Sequence, residues 1–186
     1  PGLPFKIASL GRVVEKKGFD VLIEAVALLR QRGMAVELSL AGDGPLLSNM
    51  KLLAKDKCGL DGIFFVGSLP HHEVADWMQQ HDVFVLACKQ DSQGDMDGIP
   101  VVLMEAMSQG VPVVSTRLSG IPELISHEEC GLLAKAGDAS DLALQITKLI
   151  DSCETRLRFM DKAYERVANE FGQSVNIDRI LNIIFQ

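Results

Sequence analysis

Phe5-Lys6-Ile7-Ala8-Ser9-Leu10 runs into Gly11-Arg12 and Lys16-Lys17-Gly18, then into Phe19 through Arg32, and then into Val36-Glu37-Leu38-Ser39-Leu40-Ala41. The two apolar runs have the length of strands. Between them Phe19, Leu22, Ile23, Val26 and Leu29 recur at the i, i+3, i+4, i+7 spacing of a helix with one apolar face. Arg30 and Arg32 suit its last turn and Gly33 its exit. Strand, helix and strand make a βαβ unit, whose crossover is right-handed.

The alternation continues outward from this unit. Ile63–Val66, Val83–Ala87 and Val111–Ser115 are further strand candidates, separated by segments long enough for helices. Most of the strands are rich in Val, Ile, Leu and Phe and carry little alternating charge, which fits a parallel sheet covered on both faces. The expected fold class is α/β, an open doubly wound parallel sheet with helices on both faces. After residue 126 the pattern becomes mainly helical. Asp138 and Asp141 mark a capped start for a helix with Ala139, Leu142, Ile146, Leu149 and Ile150 on one face. A second helix is expected through Leu157, Met160, Tyr164, Val167 and Phe171, ending near Gly172, and a last stripe joins Ile177, Ile180, Leu181 and Ile184. No internal repeat or low-complexity tract interrupts the chain, so residues 1–186 read as one domain, mainly helical from about 138.

Composition narrows the function. With 186 residues, 47% hydrophobic and 23% charged, the chain can bury a core, which excludes a disordered segment or a disulfide-stapled peptide. A net charge of −7 and a pI near 5.1 exclude a broad basic footprint for nucleic acid, so any site for a polyanion is local. Cys58, Cys88, Cys130 and Cys153 form no CxxC pair, and no secretory leader is read, so reduced, mostly buried thiols in a cytoplasmic setting are expected. The apolar runs fall far short of the ~20 residues that span a bilayer.

In an open parallel sheet the ligand crevice lies outside the carboxyl ends of the strands. There the sequence gathers glycines and small polar residues: Gly11-Arg12, Gly42-Asp43-Gly44-Pro45, Gly67-Ser68, Asp91 through Pro100, and Ser115 through Gly120. Glycine permits positive φ and close approach of a ligand to the backbone, and a helix beginning after such a loop offers unpaired N–H groups to an anion. Pro100 suits the first position of that helix, and the amides around Gly98, Ile99, Val101 and Val102 form an anion nest. Arg12 and Lys17 combine a planar fork of donors with a compact charge, a pairing suited to two adjacent phosphates. Glu105, flanked by Val101 through Met104 and by Ala106-Met107, either makes a surface salt bridge or faces the crevice, where it needs donors such as sugar hydroxyls, and Asp97 is a second carboxylate for the same crevice.

Gly98-Ile99-Pro100-Val101-Val102-Leu103-Met104-Glu105-Ala106-Met107-Ser108-Gln109-Gly110 with Val111 through Thr116, followed by Ser119-Gly120-Ile121-Pro122-Glu123-Leu124-Ile125, resembles the C-terminal donor-binding domain of family 4 retaining glycosyltransferases, which have the GT-B fold. Gly11 through Gly18 and Ala41 through Pro45 match further motifs of that family in the expected order, and the resemblance covers residues 5 to 170. It implies a Rossmann-like sheet, the C-terminal half of a GT-B fold, that takes a UDP-, GDP- or ADP-linked sugar and requires no metal or other cofactor. It implies that Arg12 and Lys17 bind the diphosphate, that Glu105 holds the ribose, and that Asp97 with the amides of Gly98, Ile99 and Val101 beside Pro100 addresses the sugar. The segment around Val66 and Gly67 would meet the base, Gly11, Gly42 and Gly44 would line the crevice, and Ser119 and Gly120 would complete the phosphate rim. Pro122 and Glu123 are expected to shape a helix start.

The family carries two glutamates at this place, and here the first is Asp97, shorter by one methylene, which puts the choice of donor sugar in question. Family members also have an N-terminal acceptor-binding domain, and Pro1-Gly2-Leu3-Pro4 reads as the end of a linker, so that domain is expected to be missing and the chain inactive alone. The implied whole enzyme transfers a hexosyl group to an acceptor sugar or lipid-linked glycan in polysaccharide or glycoconjugate biosynthesis, in the cytoplasm or peripherally at the inner face of the cell membrane. Two alternatives stand beside this one, a nucleotide-sugar epimerase domain and a non-catalytic nucleotide-binding module. His71 and His72 diverge by about 100° on a helix, and His81 and His127 lack partners at metal-ligand spacing, so no metal site is expected. No GxSxG elbow, Walker loop or GxGxxG follows the first strand.

Overall fold

Among the described residues six parallel strands lie in the order β3-β2-β1-β4-β5-β6. They are β1 Phe5–Leu10, β2 Val36–Ala41, β3 Ile63–Gly67, β4 Val83–Val85, β5 Val113–Thr116 and β6 Leu132–Ala134. The computed structural model describes residues 3–171. Among the described residues seven α-helices connect and cover the strands: α1 Phe19–Gln31, α2 Leu47–Cys58, α3 His71–Met78, α4 Val101–Ser108, α5 Ile121–Leu124, α6 Ala139–Asp151 and α7 Cys153–Arg166. The strand order reverses between β1 and β4, so the crevice predicted at the carboxyl ends opens there.

Side chains alternate across each strand and build a core on either face of the sheet. Ile7, Leu38, Val85, Val114 and Leu132 pack with Leu22, Val26 and Leu29 of α1 and Leu142, Ile146 and Leu149 of α6. Ala8, Phe84, Val113 and Leu133 pack on the other face with Met78, Leu103, Met107 and Ile121. The expected first helix is α1, and its Arg30 does more than suit the last turn. It donates to the carbonyls of Val36, Asp61 (2.7 Å) and Gly62 (3.1 Å), tying the helix end to the starts of β2 and β3. Asp138 caps α6 as expected, accepting from the Asp141 N–H at 3.0 Å. Ser152 does the same for α7 from Thr155 at 3.1 Å.

Three expectations need correction. The region after 126 contains β6, a three-residue parallel strand paired with β5, before the helical part begins. Its brevity hides it, since period-2 patterning needs four or more residues to register. The stripe assigned to the second C-terminal helix is only partly its buried face: Leu157 and Tyr164 are 56% and 58% exposed, whereas Phe159 and Ala163 are buried. An i, i+4 pair therefore docks α7, Phe159 in the core that holds α1 and α6 and Ala163 in the core on the other face, and Val167 and Phe171 pack on the latter from a π-helical turn, Val167–Phe171. Finally, β4 stops at Val85 and β5 begins at Val113, each shorter than its apolar run. The stripe from Ile177 to Ile184 lies outside the described residues.

All four cysteines are free, Cys88 and Cys130 buried and Cys153 exposed. Burial pushes the Cys88 thiol up to about 11. Among the described residues no helix is long and apolar enough to cross a membrane.

Candidate functional site

The loops at the carboxyl ends of the strands are stitched backbone to backbone. Gly11 N–H donates to Ala41 (3.1 Å), Gly42 to Gly67 (2.7 Å), Val13 to Asp43 (2.9 Å), Leu46 to Val13 (3.1 Å) and Arg117 to Ala134 (2.8 Å). A Cβ on Gly44 would meet the Val13 carbonyl at 2.5 Å, so a glycine is needed here for loop packing whether or not a ligand approaches. Beneath the rim, Ser115 Oγ donates to Leu86 and Thr116 Oγ1 to Cys88, at 2.7 and 2.6 Å, pinning the exit of β4 to β5.

Some of the expected site residues, Gly11, Lys17, Asp97, Ile99 and Gly120, are linked by contacts across the reversal point. Lys17 folds over Gly11, with its side-chain carbons 3.7 Å from where a Cβ would stand. Its Nζ lies 2.7 Å from Asp97 Oδ2, and Lys16 Nζ lies 3.2 Å from Asp97 Oδ1. The Lys17 contact is an ion pair without hydrogen-bond geometry, so the buried Oδ2 accepts no hydrogen bond despite its short distance from an ammonium. Next to Asp97, Gly98 borders open space, with nothing within 4 Å of a built Cβ. Ile99 then packs against Gly120, where a Cβ would come within 2.8 Å of Ile99 Cγ1.

Pro100 is the N-cap of α4 rather than its first helical residue, with φ −67° and ψ 122°, and no side chain caps the helix. The extended ψ explains the difference: the turn reaches helical geometry only at Val101. Glu105 is half-buried on α4, and its carboxylate makes no hydrogen bond or ion pair with any described residue. Arg12 is exposed, and its guanidinium likewise has no such partner among the described residues. Two opposite charges thus stand unpaired, one on the loop that carries Lys17 and the other on the helix that follows Asp97. On the edge strand Val66 is 42% exposed, and Gly67, with φ 81°, faces open space. Ser119 adopts φ 49°, unusual for a residue other than glycine, between β5 and α5. Pro122 and Glu123 fall in the first turn of α5, as expected of residues that shape a helix start.

Sequence reasoning missed a set of clamps on the long acidic loop. Lys16 Nζ donates to Asp95 at 2.8 Å, Ser92 Oγ donates to Glu15 at 2.8 Å, and Lys89 pairs with Asp20. Hydrogen bonds to Asp95 and then Asp97 hold Lys16 above its ordinary pKa, and the Lys16 ammonium holds Asp95 below its own. The only signal for these pairs was the abundance of charge in both segments, because each joins residues far apart in the chain. Among the described residues, no three His, Cys, Asp or Glu side chains cluster as metal ligands.

The fold and sequence have known relatives. The chain is 38% identical over 181 residues to the amylovoran biosynthesis glycosyltransferase AmsK of Erwinia amylovora, covering 97% of this chain and 44% of that protein. It is 39% identical over 188 residues to the putative colanic acid biosynthesis glycosyltransferase WcaL of Salmonella typhimurium, covering 100% of this chain and 46% of that one. The chain therefore spans less than half the length of these relatives. Its backbone matches the crystal structure of Anabaena Alr3699/HepE in complex with UDP, with a TM-score of 0.86 at 20% identity, covering 98% of this chain and 49% of that one. The sheet is the Rossmann-like α/β domain found in GT-B glycosyltransferases. Residues 2–166 match the family model for glycosyl transferases group 1, and with a Rossmann-like sheet of this order and relatives of this identity the chain belongs to that family.

Proposed function

We propose that this domain binds a nucleoside-diphosphate sugar at the carboxyl rim and is the donor half of a retaining hexosyltransferase. The observation that carries the reading is that Lys17, paired with Asp97, folds over Gly11 next to the open backbone of Gly98, while Arg12 and Glu105, on the same loop as Lys17 and on the helix after Asp97, have no charged partner among the described residues. Arg12 and Lys17 hold the diphosphate, and Glu105 accepts hydrogen bonds from the ribose hydroxyls. Val66 and Gly67 border the base. Asp97, with the amides of Gly98, Ile99 and Val101 around Pro100, holds the sugar. Gly11, Gly42 and Gly44 bring the first loops close enough to meet the phosphates, and Ser119 and Gly120 close the rim.

In the reaction the bond between the sugar's anomeric carbon and the phosphate oxygen breaks, and negative charge grows on the departing nucleoside diphosphate. Arg12 and Lys17 stabilise that charge where it develops, so cationic side chains supply what catalysis needs here. The acceptor hydroxyl attacks from the face the leaving group vacates. Its proton passes to the departing phosphate oxygen, and configuration is retained. No side chain of the rim is placed as a covalent nucleophile in this scheme.

The acceptor, a sugar or lipid-linked glycan, binds a second, N-terminal domain, and residues 1–186 alone bind donor without transferring it. AmsK and WcaL are named for amylovoran and colanic acid biosynthesis, which supports a role in building a polysaccharide or glycoconjugate. Calorimetric titration of this chain with UDP, GDP and ADP and with their glucose, mannose and N-acetylglucosamine conjugates tests the donor site. Saturable binding with a preference for one base is expected. Absence of binding to every nucleotide overturns the reading.

A further inference from the structure

Asp97 is shared between two lysines: Lys17 reaches one of its oxygens at 2.7 Å and Lys16 the other at 3.2 Å. Lys16 in turn reaches Asp95 at 2.8 Å, so the charges run Asp95–Lys16–Asp97–Lys17 in one line. Lys17 and Asp97 are the more buried members, with 17% and 18% of their side chains exposed, and Lys16 and Asp95 the more exposed, with 27% and 62%. The loop bearing the aspartates is prearranged. Asp91 Oδ1 accepts from the N–H groups of Gln93 and Asp95, both at 2.9 Å, and the Asp91 N–H donates back to the Asp95 carbonyl at 2.9 Å. The Lys89 N–H donates to the Lys16 carbonyl at 3.0 Å, which holds the base of the loop against the turn that carries both lysines.

A diphosphate that takes Lys17 must draw it away from Asp97. Were Lys17 the only counter-charge, the exchange would leave a mostly buried carboxylate unpaired beside an incoming anion, which is strongly unfavourable. Resting on the donor-site reading above, we infer that Lys16 is a positioning residue. It keeps Asp97 neutralised while Lys17 is handed to the diphosphate, and so makes the Lys17–Asp97 pair a contact that donor can open. Lys16 does not itself touch the donor. Asp95 anchors it on the far side, so that it stays with the loop and leaves the phosphates to Lys17.

The inference separates from a plain loss of positive charge near the ligand by a double-mutant cycle. Lys16→Met keeps the apolar stem and removes the charge, leaving Asp97 to Lys17 alone. Affinity for inorganic pyrophosphate and for UDP, GDP and ADP, read by calorimetry on this chain, is expected to fall about tenfold, the scale of one charge-assisted contact. Lys16→Arg is expected to restore it. In the Asp97→Asn background there is no carboxylate to hold, so adding Lys16→Met is expected to change pyrophosphate affinity less than about twofold. An equal loss in both backgrounds identifies Lys16 as a mere attracting charge, and an unchanged affinity in Lys16→Met shows it idle. Either result overturns the inference while the donor site stands. If the parent chain binds none of these ligands, the donor-site reading falls and this inference with it. Unfolding midpoints of all variants, expected to agree with the parent, show whether the loop has been lost instead; a midpoint fall in Lys16→Met matched by a pyrophosphate loss that persists in Asp97→Asn also overturns it.

Discussion

Gly42 and Gly11 touch backbone to backbone: a Cβ on Gly42 would stand 1.9 Å from the Gly11 carbonyl oxygen, and Gly42 holds φ at 127°. Both the steric limit and the dihedral demand glycine there. Gly42→Ala is therefore expected to destabilise the fold by more than about 3 kcal/mol, measured by urea unfolding. Gly98 borders open space and carries no positive φ, so Gly98→Ala is expected to stay within about 0.5 kcal/mol of the parent. It should nevertheless weaken sugar-nucleotide binding, because the added methyl group occupies the space the donor needs. Equal stability losses in the two variants would show that the two glycines serve the same purpose.

Arg12 gives up no partner among the described residues when truncated, so Arg12→Ala is expected to leave the unfolding midpoint unchanged. Its affinity for a nucleoside diphosphate should fall by about 1.5–3 kcal/mol, and Arg12→Ala/Lys17→Ala by several kcal/mol. Calorimetry on the folded variants measures both. Unchanged affinity in the folded double mutant would remove the diphosphate from this part of the rim.

Glu105→Gln keeps the size of the side chain and removes its charge. If the carboxylate holds ribose hydroxyls, the variant should bind nucleoside diphosphates about tenfold more weakly and inorganic pyrophosphate as well as the parent does. Matching losses for the two ligands would move Glu105 away from the ribose.

Two histidines make the fold sensitive to mild acid. Burial pushes the pKa of His81 below its ordinary 6.5, and burial followed by the neighbouring Arg117 does the same for His127. His127 Nδ1 accepts from the Leu133 N–H at 2.9 Å, a bond that the protonated ring cannot accept. Each ring is held neutral when folded, so its contribution is complete above 6.5 and is lost as pH falls toward and through the folded value. The urea midpoint is expected to drop between pH 7 and pH 5, and His127→Asn should flatten the part due to that ring. An unchanged slope in His127→Asn would assign the acid sensitivity elsewhere.

The sequence made some of this legible and hid the rest for identifiable reasons. Phe19, Leu22, Val26 and Leu29 repeat over a full helix, so α1 and the strands beside it could be read directly. Leu132, Leu133 and Ala134 are too few to show a period, and β6 was absorbed into a helical region. Leu157 and Tyr164 had the right spacing for a buried stripe, but spacing does not say which of two adjacent helix faces turns inward, and it is the face of Phe159 and Ala163. In the site, glycines and the Pro100 turn advertise a rim because their backbone needs are local. The contact between Lys16 and Asp95 depends on how strands order in space, and the charge in each segment does not say which residue of the other it meets.

That separation, 79 residues between Lys16 and Asp95 and 77 between Glu15 and Ser92, has a consequence for how the chain matures. Arg12 and Lys17 are made before the residues that face them and wait, without those neighbours, until β4 and the loop behind it have been translated and docked beside β1. Because distant contacts form only after a large loop closes, the rim is among the late features to assemble. A nucleotide analogue that binds there would act as a timer for nascent-chain folding, silent on every truncated intermediate and bound only once the reversal of strand order is complete.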